Sequence, residues 1–126
     1  PQTMWSFFLF RGIFIMIFSE SLKKNSDFLT VYKRGKSKAN KQLVMYVYHN
    51  GLERNRLGIS VSKKVGNSVV RHHLTRLIRE AYRLNEEMFN SGLDIVVVVR
   101  PEAENLDFHV IEKSLLHLAN LHALLK

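Results

Sequence analysis

A chain of 126 residues has room for one domain with a modest core and too little length for two. Its 46% hydrophobic and 24% charged residues exclude disorder as the default; the absence of cysteine excludes a disulfide framework or a thiolate metal site and suits a reducing cytosol. Nineteen Lys and Arg against 11 Asp and Glu leave a net charge of +8, and on so small a domain that excess points to a polyanionic partner.

The first eighteen residues stand apart. MWSFFLFRGIFIMIF (4–18) is strongly apolar, with Arg11 its only charge. It is shorter and more interrupted than the roughly 20 apolar residues of a membrane span, and it lacks the basic start and small-residue cleavage site of a secretory signal. Residues 1–18 are therefore expected to be an extension outside the fold, from upstream translation or a tag, with Met16 an internal start. Residues 19–126 are expected to form a single RNA-binding domain.

From Ser19 the pattern becomes regular. SESLKKNSDFLTVYKRGKS (19–37) has a capping-type serine and a helical spacing that puts Phe28, Val31 and Tyr32 on one side, with Gly35 ending the helix. LVMYVYH (43–49) reads as a strand and HNGLERN as the turn out of it. In RLGISVS (56–62), Leu57, Ile59 and Val61 alternate with Gly58, Ser60 and Ser62, a half-buried strand expected to pair with its predecessor as a hairpin. DIVVVV (94–99) is a continuous apolar run, as for a strand covered on both faces. The closing segment carries Phe108, Ile111, Leu115, Leu118 and Leu125 as the apolar side of an amphipathic helix, with His117 and His122 on its polar edge. Helix, strand, strand, helix, strand, helix predicts an α+β sandwich, with helices packed on a small mixed sheet.

The segment GNSVVRHHLTRLIRE (66–80) and its continuation to Arg83 carry the charge. Asn67 or Ser68 can cap a helix, and Gly66 offers backbone freedom for the turn from the strand. With Arg71 at zero and about 100° per residue, Val70, Leu74, Leu77, Ile78 and Ala81 fall at about 240–340°. His72, Arg76, Arg79 and Arg83 fall at about 80–140°, with Arg71 and Thr75 on the near flank. One side packs and the other is offered outward. Lys63 and Lys64 precede the helix, so 63–83 holds six Lys or Arg against Glu80 alone. A helix N-terminus with free N–H groups and arginine forks suits phosphate oxygens.

SVSKKVGNSVVRHHLTRLIREAYR (60–83) resembles the signature of the bacterial ribonuclease P protein component: a strand ending in Ser-Lys-Lys, a Gly-Asn turn and an arginine-rich helix. SLKKNSDFLTVYKRGKSKANKQLVMYVY (21–48) resembles that family's amino-terminal part, and DIVVVVRPEA (94–103) with the helix after it fits its ending. His72 stands where the family usually has Asn, His73 where it has Arg and Thr75 where it has Lys, so weaker or more pH-sensitive RNA contact is expected.

The resemblance implies the two-layer α+β sandwich with a left-handed β-α-β crossover. It implies a cytoplasmic ribonucleoprotein endonuclease in which a catalytic RNA, the obligate partner, holds Mg²⁺ and removes the 5′ leader of precursor tRNA. The protein itself then contributes neither catalytic residues nor metal ligands. On this reading Lys63, Lys64, Asn67, Arg71, His72, Thr75, Arg76, Arg79 and Arg83 meet RNA. Phe28, Tyr32, Lys36, Tyr46, Ser60 and Ser62 form the leader cleft, where aromatic rings beside cations make a stacking platform and small side chains admit a close strand.

Three other readings compete. A metal-free nuclease using His72 and His73 is disfavoured, because adjacent helical residues point about 100° apart. Asp94, His109, His117 and His122 lack metal-ligand spacing. A non-enzymatic RNA-binding or ribosome-assembly module could use the same basic helix. A membrane-surface protein would need its charge near the apolar leader, and the charge lies far from it.

Overall fold

The structure, a computed structural model, describes residues 16, 18–104 and 106–126. Five strands and three helices follow in the order β1 (Ser19–Ser21), α1 (Asn25–Arg34), β2 (Lys36–Ala39), β3 (Leu43–His49), β4 (Asn55–Ser60), α2 (Ser68–Asn85), β5 (Leu93–Val99) and α3 (Phe108–Leu121), with a 3₁₀ turn at Glu86–Met88. The sheet order is β1-β4-β5-β3-β2. It is a mixed sheet in an α+β fold. The expected extension lies mostly outside the described residues, but Met16 packs against the main core.

The expected hairpin does not form. β3 pairs antiparallel with β5 from Leu43↔Val99 to His49↔Leu93, and β4 pairs parallel with β5 from Arg56↔Asp94 to Ser60↔Val98. β5 is apolar on both faces and buried along nearly its whole length. As an edge strand it would expose apolar side chains and an unpaired backbone edge to water, so it takes the centre and separates β3 from β4. β4, α2 and β5 thereby form the parallel crossover unit.

Two strands escape the hydrophobic pattern. β1 reads Ser-Glu-Ser and β2 reads Lys-Ser-Lys-Ala, both short edge strands, and β2 is exposed throughout. Edges are held by backbone pairing and guarded by charge, so alternation does not reveal them. Helix α1 starts after Lys24 without a side-chain cap, so the capping serine is not used. It ends at Gly35 in an extended conformation (φ −77°). A Cβ there would lie 2.5 Å from the Val31 carbonyl oxygen and 2.7 Å from that of Val47. Glycine thus lets the helix turn straight into β2.

The two faces of the sheet carry separate cores. Against one face α2 and α3 bury Leu74, Ile78, Ala81, Ile111, Leu115 and Leu118 over Leu43, Met45, Leu57, Ile95 and Val97. Against the other, α1 buries Val31 with Leu22 and Val96, and leaves Phe28, Tyr32, Tyr46, Tyr48 and Val98 half-buried. Leu125 lies beyond α3 and bridges to Phe89 instead of extending the helix. His122 is half-buried against the sheet, not on a polar edge, with Nε2 3.0 Å from the Met45 carbonyl oxygen.

Candidate nucleic-acid interface

Helix α2 begins at Asn67, whose Oδ1 accepts a bond from the Val70 N–H at 3.0 Å. Gly66 is required for space and not for a left-handed turn: a Cβ there would sit 2.9 Å from Val70 Cγ1. Lys63 and Lys64 are exposed in the turn before the helix. The turn is closed by a bond from the Val65 N–H to the Ser62 carbonyl at 3.0 Å.

Leu74, Ile78 and Ala81 of α2 are buried as the helical spacing requires, whereas Val70 remains 40% exposed. On the other side, His72, His73 and Arg76 are exposed and Arg71 and Arg79 half-buried. The Arg71 Nε is shielded from water without a hydrogen-bond partner among the described residues. Thr75 donates its hydroxyl to the Arg71 carbonyl at 2.9 Å, so that group is occupied within the helix. Arg83 departs from the expected outward row. It is fully buried and pairs through Nε and Nη2 with Glu80, one helical turn back. A buried guanidinium needs its carboxylate, and the pair turns this arginine to structural use.

The opposite face of the sheet supplies a second surface. Cross-strand partners place Gly58, Val96 and Tyr46 in one row and Ser60, Val98 and Val44 in the next. Phe28 lies directly over Gly58, where an added Cβ would stand 2.7 Å from its ring. The Tyr32 ring meets Tyr46 edge-on at 4.9 Å, and Phe28 lies 6.4 Å from Tyr32. Ser60, Val98 and Val44 stay half-exposed beside these rings as an open floor. Phe28, Tyr32, Tyr46 and Ser60 therefore share one surface.

Lys36 does not join them. Its Cα partner is Val47, a core residue of the other face, and directly opposed residues of an antiparallel pair point the same way. Ser62 lies beyond β4 in the exposed turn, next to Lys63. From Ser60 to Lys63 the chain can span at most about 11 Å, so the open floor adjoins the basic turn that leads into α2.

One group escaped sequence reasoning. Arg56 donates to both oxygens of buried Asp94, at 2.8 and 2.6 Å, and reaches Asp27 of α1 at 3.4 Å. Hydrogen bonding to Asp94 holds the guanidinium above its ordinary pKa against the opposing effect of burial. This clamp ties the first turn of α1 to the sheet. Its signal was a lone Asp heading an apolar strand, since a charge carried into the interior requires a partner.

His73 lines a shallow apolar pocket with Val69, Leu74 and Leu106 that does not include His72. Among the described residues, no three His, Asp or Glu side chains converge to hold a metal, and no helix is long and apolar enough to cross a membrane.

The family model described as Ribonuclease P matches residues 16–122. A ribonuclease P protein component from Lachnoclostridium phytofermentans is 61% identical over 107 residues, covering 85% of this chain and 92% of that one. The solved ribonuclease P protein of Staphylococcus aureus superposes with a TM-score of 0.77 at 38% identity, covering 84% of this chain and 97% of that chain. That of Thermotoga maritima gives 0.71 at 38% identity, covering 78% and 93%.

Proposed function

This chain belongs to the ribonuclease P protein family, and we propose that within its particle it grips RNA through two adjoining surfaces. It is the protein component of an RNA-containing endonuclease of tRNA processing, and its RNA partner is the ribonuclease P RNA. The exposed row on α2 carries the proposal. Lys63, Lys64, His72 and Arg76 are exposed and Arg71 and Arg79 half-exposed, along the turn and the side of the capped helix that does not pack on the sheet. Such a surface binds phosphates by charge-assisted bonds and counterion release. We assign it to the RNA subunit.

The open floor of Ser60, Val98 and Val44, walled by Phe28, Tyr32 and Tyr46, is the seat of the single-stranded 5′ leader of precursor tRNA. Aromatic edges give bases a stacking surface, and the small Ser60 lets the strand lie close. The adjoining Lys63 and Lys64 then bridge leader and RNA subunit. Mg²⁺ belongs with the RNA, where it activates water and stabilises charge at the scissile phosphate. The acidic groups near the cleft are engaged: Asp94 and Asp27 both hold Arg56. The particle is cytoplasmic on this reading, in keeping with a cysteine-free basic chain.

The test is reconstitution with the cognate RNA subunit at low Mg²⁺. Precursor-tRNA cleavage should rise sharply on adding the protein, and Arg76→Ala should reduce the salt slope of RNA binding by about 1. Binding without any rise in cleavage would favour a generic RNA-binding or ribosome-assembly module. Cleavage by the protein alone would return the histidines to consideration.

A further inference from the structure

The sheet face beneath α3 ends, at the β2 edge, in a pocket that neither RNA surface uses. Arg34, Lys36, His49 and His122 meet there beside Val47 and Leu124, around a cavity of about 330 Å³. No carboxylate lines it, and none of the four basic groups is in an ion pair among the described residues.

The four come from different parts of the chain. Gly35 lets α1 run directly into β2, so Arg34 in the last helical turn lies two residues from Lys36. Register puts Lys36 beside Val47, and strand alternation puts His49 on the same face. The C-terminal end of α3 brings His122, whose Nε2 carries a proton because the Met45 carbonyl can only accept. Burial disfavours the charged form of His122, the Met45 carbonyl opposes this, and nearby Lys38 adds to it. Lysines on an edge strand can serve simply to block edge-to-edge pairing. That accounts for Lys36 and Lys38, but not for Arg34, His49 and His122 converging from three other elements.

A second pocket lies at the far end of β2, lined by Lys41, Lys113 and His117 with Asn40 and Gln42, again without a carboxylate. The four residues of β2 separate the two by about 13 Å. One small anion would need one such seat, whereas a polyanionic chain suits two along an edge.

We propose that the Arg34–Lys36–His49–His122 pocket seats a phosphate, and that its occupant is a phosphodiester of an RNA strand running along the β2 edge, on the sheet face opposite the tyrosine cleft. The guanidinium fork and ammonium hold the oxygens, the His49 imidazole adds an N–H donor, His122 borders the seat with its ring, and Lys41 and Lys113 continue the track. This rests on the reading of the chain as an RNA-binding subunit.

The double variant Arg34→Ala/Lys36→Ala tests it, since both side chains are exposed and their truncation spares the core. Titration of the wild-type protein with inorganic phosphate should shift the ring NMR signals of His49 and His122, and the double variant should lose those shifts. Its salt slope for the cognate RNA subunit or for precursor tRNA should fall by about 1 to 2. Silent His49 and His122 signals under phosphate would overturn the seat. Phosphate shifts with unchanged slopes for both RNAs would make it a free-anion site and overturn the RNA assignment. Arg76→Ala run in parallel separates the two readings: a fall there alone sinks only this pocket, and no fall in either variant removes the RNA-binding reading beneath it.

Discussion

The two faces of the sheet are finished to different degrees. Under α2 and α3 the face is dry: Leu43, Met45, Ile95 and Val97 are all but inaccessible. Under α1 the buried apolar side chains among the described residues are Leu22, Val31 and Val96, and tyrosines, Ser60 and Val98 remain half-open. One ten-residue helix cannot cover five strands, and the uncovered part is furnished with phenol rings and small side chains, not with more aliphatics. A half-open aromatic surface of this kind is what the proposed leader seat requires.

If the dry face carries stability and the open face carries binding, substitutions should separate accordingly. The largest effect belongs to Leu115→Ala, which empties a fully buried site and should cost about 2 to 5 kcal/mol in urea unfolding. The folded fraction should keep its RNA affinity. A loss of affinity at full folding would break the division.

Gly58→Ala probes the place where the open face is closed. Its methyl would meet the Phe28 ring at 2.7 Å, and the forced shift of ring or helix should cost about 1 to 3 kcal/mol and disturb leader binding as well. Unchanged stability would mean that α1 rides loosely on the sheet. Tyr46→Ala should weaken the leader-bearing substrate by about 1 to 3 kcal/mol relative to leaderless tRNA. Tyr46→Phe should retain most of that difference, since stacking needs the ring and not the hydroxyl. Equal losses for both substrates would move the leader elsewhere.

The smallest expected effect is a pH dependence at the dry face. Burial pushes the His122 imidazole below its ordinary 6.5, with Lys38 adding to the push and the Met45 carbonyl opposing it. The unfolded ring then takes a proton at higher pH than the folded ring. The contribution of this group is whole above pH 6.5 and is lost as pH falls from there through the depressed folded value. Unfolding midpoints at pH 7.5 and 5.5 should therefore differ more for wild type than for His122→Asn; equal differences would place the sensitive group elsewhere.

The outward cations of α2 were legible because helical spacing alone separates Leu74 and Ile78 from His72 and Arg76. The tyrosines of β3 were legible because alternation puts Tyr46 and Tyr48 together. Arg83 was misread, since angular position on a helix says nothing about what stands opposite, and Glu80 draws that guanidinium inward. Lys36 was misplaced for a related reason. Its face depends on register against Val47, and a four-residue polar strand carries no pattern from which register can be read.

The sequence by itself determined the elements with a strong apolar period, the basic helix and its cap, and the family to which the chain belongs. These are local matters of spacing and side-chain chemistry. Tertiary structure alone decided that β5 lies between β3 and β4, that Asp94 meets Arg56, and that Arg34, Lys36, His49 and His122 share a pocket. Each depends on which strands pair and in what register. That choice minimises exposed apolar edge and unpaired buried charge over the whole sheet, so no single stretch of the chain contains it.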